Sequence, residues 1–178
     1  MVEHYFDMET TGLNPQKDKI IAIQTQRLVG RTGEPIDEVN ILREWETSEK
    51  EIVMKMMPLL TCKNPFGFIM VGKNLLFDFM FLNVRAEKYG LKGLDLPCFY
   101  NRASIDLKPI LVMVNNGNFK GYDRVLDKKG ELAKVDVPRL YKEEKYQEIV
   151  QYIKEEAKTF VDAYQKLKTR MPSLAEFL

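Results

Sequence analysis

Asp7 and Glu9 stand two residues apart in the run Tyr5-Phe6-Asp7-Met8-Glu9-Thr10. On a strand, alternate side chains leave the same side of the sheet, so the two carboxylates can converge on one ion. Two acids on one strand face repel each other and lose hydration. Magnesium or manganese, which prefer hard oxygen ligands, offset both penalties. By itself an Asp-x-Glu pair is a weak signal, because the solvent face of an edge strand often carries one. Asn74 and Asp78 are four residues apart, one helical turn, so they share a face that can look across at the strand of Asp7 and Glu9. The same two residues also fit a purely local role, with Asn74 capping a helix and Asp78 favoured by the helix dipole in its first turns.

The elements that must hold these side chains are readable from periodicity. The opening residues up to Thr10 read as a strand. Gly12-Leu13-Asn14-Pro15 supplies a turn before Ile20-Ile21-Ala22-Ile23 begins a second strand, and Arg31–Pro35 supplies another before a third over Ile36–Trp45. An antiparallel meander joins these three most economically. Ser48 and Glu51 fit a capping box for a helix over about 49–60. Phe66–Val71 has the length of a buried strand. It hands over at Gly72 to a helix that starts at Asn74 and ends at Gly90. Leu94–Ile105 reads as loop and short strand, followed by a helix over Leu107–Val114 that Asp106 can cap. Asn118–Arg139 reads as a short helix near Tyr122–Leu126 and an exposed loop, and Glu143–Arg170 as strongly helical, in one piece or kinked. Strands first and βα units afterwards indicate an α/β mixed sheet with helices on its faces.

Composition narrows the function classes. The 178 residues suit one domain, and 27 Lys+Arg against 26 Asp+Glu leave a net charge of +1, so any nucleic acid must be bound locally and not by a global basic surface. Cys62 and Cys98 lack zinc-ligand spacing and read as buried free thiols. The N-terminus, Met1-Val2-Glu3-His4-Tyr5, is unlike a signal peptide, and no apolar run approaches the roughly 20 residues of a membrane span. The chain is therefore expected to be soluble and cytoplasmic, with no membrane partner.

The eight residues Phe6-Asp7-Met8-Glu9-Thr10-Thr11-Gly12-Leu13 resemble the first motif of the DEDD, or DnaQ-like, 3′-5′ exonuclease superfamily. Asn74-Leu75-Leu76-Phe77-Asp78 resembles its second. The third motif separates a histidine branch from a tyrosine branch. The only histidine is His4, on the first strand, so the resemblance is to the tyrosine branch, with Tyr152 and Glu156 matching Tyr-x-x-x-Asp. Glu156 departs from the family aspartate by one methylene. It is preferred to Glu155 and Asp162 because four residues on from Tyr152 keep the same helix face, whose neighbours Ala157 and Phe160 are apolar. The resemblance spans the chain, including Ser104–Leu107 and Gly121-Tyr122, and is closest to the exonuclease domains of family B DNA polymerases and their stand-alone relatives.

The resemblance implies a ribonuclease-H-like fold and one exonuclease domain over 1–178. It implies two Mg2+ or Mn2+ ions per site, held by Asp7, Glu9, Asp78 and Glu156, and hydrolysis from single-stranded 3′ ends with release of nucleoside 5′-monophosphates. Thr10, Thr11, Gly12, Leu13 and Asn74 would lie near the terminal nucleotide, and Tyr152 would orient the attacking water. Phe66 and Tyr100 are further stacking candidates. The motifs do not separate DNase from exoribonuclease, and Glu156 leaves open a catalytically weakened domain that binds nucleic acid or protein.

Overall fold

The computed structural model describes residues 2–60, 64, 66–94, 96–120 and 135–170. β1 (Val2–Thr10), β2 (Ile20–Val29) and β3 (Asn40–Arg43) form the antiparallel meander. β4 (Ile69–Gly72) and β5 (Ser104–Asp106) then add in parallel on the other side of β1, giving the order β3-β2-β1-β4-β5. The acid-bearing strand is thereby central, and its side chains are sorted onto two faces by the two-residue period. Phe6 and Met8 point to one core, with Ile52 and Val53 of α1 (Glu49–Met56) and Leu75, Phe81 and Leu82 of α2 (Leu75–Lys88). Tyr5 points to the other, against Ala157, Phe160 and Tyr164 of α6 (Tyr146–Arg170). Asp7 and Glu9 share the Tyr5 face and so look toward α6.

Gly72 makes the strand-to-helix junction possible. A Cβ there would sit 2.5 Å from the Phe6 carbonyl oxygen and from Leu75 Cδ2, so any larger residue would push β4 and the start of α2 away from β1.

Several boundaries differ from the expectations. The third strand begins at Asn40, not Ile36. Asp37 occupies the ladder position instead, its carboxylate accepting from Arg27 N (3.0 Å) and Arg27 Nε (2.6 Å). The helix after Ser48 is α-helical only to Met56, then tightens to a 3-10 turn over Met57–Leu60, where Pro58 lacks the N–H that an α-helix needs. Ser48 caps the helix as expected, with Glu51 N donating to Ser48 Oγ at 3.2 Å. Two short helices fall where loop was expected: α3 (Leu96–Tyr100), and α5 (Val137–Lys142), which Asp136 caps through Arg139 N. α4 (Lys108–Val114) lies between them. Glu144, at φ 56, separates α5 from α6, and α6 is one helix of 25 residues.

The expected helix near Tyr122–Leu126 lies outside the described residues, as does Cys62. Cys98 is buried but disulfide-bonded, which corrects the reading of a free thiol at that position. Burial and spacing, on which that reading rested, do not exclude pairing. Among the described residues no helix is long and apolar enough to cross a membrane.

Candidate active site

Asp7 sits two residues after Tyr5 and opposite Gln24 in the β1–β2 ladder. Both neighbours donate to the same oxygen, Oδ2: Tyr5 OH at 3.2 Å and Gln24 Nε2 at 3.1 Å. The carboxylate is therefore fixed by side chains that are themselves buried. Glu9 lies one pleat further on, and Glu156 approaches from α6. Ligand oxygens of Asp7, Glu9 and Glu156 all lie within 4.8 Å of one another.

Asp78 reaches the same end of the sheet from α2 and is almost fully buried, at 3 % exposure. It is not part of the tight group of three, yet Asp7 and Glu9 both act on its charge. Its placement begins at the N-terminus of α2. Asn74 was expected to cap that helix, and the structure corrects this: Asn74 is left-handed (φ 65) and its side chain makes no capping bond. Asp106, at the end of β5, caps instead, accepting from Asn74 N (2.8 Å) and Leu75 N (3.0 Å) as well as from Lys108 N (2.9 Å). The Asn74 amide oxygen accepts from Lys108 Nζ at 2.7 Å.

The electrostatics follow from this crowding. Burial, and then the charge of Glu156, push the Asp7 carboxyl up from 3.8 to about 6. Lys73, the Met8 amide and the Tyr5 hydroxyl act in the opposite direction. Burial, Asp7, Glu9 and Asp106 raise Asp78 well above its ordinary value, again with Lys73 opposing. Carboxylates perturbed in this way mark a place where negative charge is gathered at a cost. Tyr152, half-buried one turn before Glu156 and hydrogen-bonded to it, is raised above its ordinary 10.0 by burial first and then by Glu156 and Glu9. Its phenol stays protonated at neutral pH.

The structure thus brings together Asp7, Glu9, Asp78, Tyr152 and Glu156. Glu155 and Asp162 are exposed on α6. Leu13, 82 % exposed, and Asn74 line a groove with Pro15, Leu76, Phe77, Met80 and Phe81, of about 390 Å³. Thr10, Thr11 and Gly12 lead from Glu9 toward it, tied by Thr10 Oγ1 donating to Gly12 O (2.6 Å) and Lys19 N to Thr11 Oγ1 (3.0 Å). His4 points to the opposite face of β1 and stacks on Phe68 at 4.3 Å.

Phe66 and Tyr100 are exposed, but they precede β4 and β5, which run parallel to β1. Phe66 therefore lies toward the end of the sheet where β1 begins, whereas Tyr100 packs edge-on against Phe99, whose ring is 4.9 Å from that of Phe79 on α2. Residue types alone missed Tyr5, Gln24, Lys73 and Asp106.

No protein-family model matches the chain. An uncharacterized protein of Methanocaldococcus jannaschii is 32% identical over 114 residues, which make up 62% of this chain and 55% of that protein, so the match spans about half of the relative's length. Among solved structures, E. coli exonuclease I in complex with a dT13 oligonucleotide is similar at a TM-score of 0.50 and 14% identity, covering 67% of this chain and 31% of that one. A product-bound structure of exonuclease I has a TM-score of 0.49 at the same identity, covering 67% and 33%. At this identity the likeness is one of fold, and the chain has the ribonuclease-H-like α/β fold of exonuclease I.

Proposed function

We propose that residues 1–178 form a single metal-dependent 3′→5′ exonuclease domain of the tyrosine branch, hydrolysing phosphodiester bonds at single-stranded 3′ ends of DNA or RNA. The observation that carries this reading is the convergence of Asp7, Glu9 and Glu156 within 4.8 Å, with Asp78 buried close by. The donor set is all carboxylate oxygen, and its burial and mutual repulsion raise Asp7 and Asp78. Mg2+ or Mn2+, two per site, fit such ligands and offset that repulsion. When bound, such ions lower the pKa of an attacking water and stabilise the leaving 3′-oxygen.

The chain's own groups do the rest. Asp7, locked by Tyr5 and Gln24, would hold the ions together with Glu9 and Glu156, which would serve the attacking water, and Asp78, which would serve the leaving group. Tyr152 keeps its proton and so orients the water without deprotonating it. The groove of Leu13, Phe77 and Met80 offers apolar surface with Asn74 as its polar group, which suits an unpaired terminal nucleotide taken with little regard to base identity. The dT13 oligonucleotide on exonuclease I agrees with a substrate of this class.

The test is degradation of matched single-stranded DNA and RNA oligonucleotides by the purified protein with Mn2+. The expected products are nucleoside 5′-monophosphates released in order from the 3′ end, and the ratio of the two rates assigns the sugar preference. Binding of either oligonucleotide without hydrolysis would replace this reading with that of a binding domain.

A further inference from the structure

The groove lined by Leu13, Pro15 and α2 residues that flank Asp78 in sequence has two walls, the loop of residues 11–19 and the first turns of α2. The loop makes its own turn, with Lys17 N and Asp18 N donating to Asn14 O and Asn14 N to Asp18 Oδ2. These bonds shape the loop but do not set its distance from α2. Leu13 cannot set it either, being 82 % exposed. The connection is Arg85, on α2 one turn beyond Phe81. Its NH1 donates to the Pro15 carbonyl at 3.2 Å, while Nε and NH2 fork onto Glu49 at 2.7 and 2.6 Å. Glu49 also accepts from Ile20 N at 2.7 Å, where the loop rejoins the sheet, and from Tyr89 OH at 2.6 Å.

Arg85 and Glu49 are both buried, at 3 % and 4 % exposure. A buried ion pair contributes little net stability, and an apolar pair of similar volume would often hold the core as well. An apolar pair could not bond the Pro15 carbonyl and the Ile20 amide. Glu49 takes the Ile20 amide, and the planar fork of arginine, with five N–H donors, holds the Glu49 carboxylate and the Pro15 carbonyl at once in a geometry that the point charge of a lysine does not reproduce.

We propose that Arg85, held by Glu49 and Tyr89, is a positioning residue. By joining the two walls it fixes the width of the groove and so sets the affinity for the terminal nucleotide, without touching substrate or metal ligands. This rests on the reading of the groove given under Proposed function.

The experiment compares wild type, Arg85→Lys, Leu13→Ala and the double variant, each checked for folding by its thermal melt. KM, kcat and Mn2+ affinity are measured with a single-stranded oligonucleotide, and amide hydrogen exchange is followed over residues 11–19. The expected result for Arg85→Lys is faster exchange in the loop and KM raised about tenfold, with kcat and Mn2+ affinity within about twofold. Leu13→Ala raises KM similarly, and the double variant is no worse than either single one, because both act on one wall. Unchanged loop exchange, unchanged KM, or additive effects overturn the proposal. If Arg85→Lys fails to fold, replacing Glu49 and Arg85 together by Leu and Met restores packing without the Pro15 bond, and the same changes in KM and exchange are expected. Wild type that neither cuts nor binds the oligonucleotide overturns the nuclease reading itself, while the exchange data still decide whether Arg85 holds the loop.

Discussion

Asp7 is the residue on which most of the site's energetics turn. Its carboxyl is raised to about 6 from 3.8. Between those values the folded, metal-free chain binds more protons than the unfolded one, so this group's contribution to stability falls as pH rises through the window. Asp78 is raised as well and acts in the same direction. The difference between wild type and Asp7→Asn isolates the effect. In EDTA at pH 7 the variant is expected to melt about 5–10 °C higher, and near pH 4 the two should coincide. Equal melting temperatures at pH 7 would show that Asp7 carries no strain. On α6, Glu156→Gln is expected to lower metal-dependent hydrolysis by at least about a hundredfold, because a buried ligand is lost, and Glu155→Gln to leave it within about twofold. Steady-state rates decide this, and the reverse pattern would place the helix face wrongly. Glu156 was legible because a four-residue helical step from Tyr152 keeps one face. Tyr5 and Gln24, which fix Asp7, were not. Their role depends on strand register, and register is settled by pairing partners far along the chain.

At the level of elements, the site is built where the ends of β1, β4 and β5 meet the N-terminus of α2. The meander and the two parallel additions were readable from the alternation of apolar runs and turn residues, and Gly72 marked the junction. The capping of α2 was not, since a local rule selects Asn74 and the structure uses Asp106 from the next strand. A side chain from another element can satisfy two backbone N–H groups at once, which no neighbouring residue does here. Asp106→Ala is therefore expected to cost about 1–2 kcal/mol, as loss of a helix cap does. It should also reduce activity, because the first turn of α2 carries Asp78. Chemical denaturation and steady-state rates measured together check both parts. A destabilised variant with wild-type turnover at low temperature would separate the cap from the site. The short helices α3 and α5 escaped the periodicity because five or six residues span too few turns to show it.

Across the whole molecule, helices on both faces bury β1, and the carboxylates gather at one end of the sheet, which leaves a concentration of negative charge that a cation relieves. Saturating Mn2+ is accordingly expected to raise the melting temperature of the wild type by several degrees and that of Asp7→Ala much less, since a ligand that binds only the native state stabilises it by mass action. A near-neutral total charge of +1 gives no long-range attraction for nucleic acid, so binding rests on the groove and the site beside it. The central claim is that this carboxylate cluster cuts nucleic acid from its 3′ end, and its most direct measurement follows a 5′-labelled single-stranded oligonucleotide with Mn2+ in the presence of wild type or well-folded Asp7→Ala. The account predicts a ladder shortening one nucleotide at a time from the 3′ end with wild type and an intact oligonucleotide with Asp7→Ala. Full-length substrate with both proteins, or the same ladder with both, would contradict it.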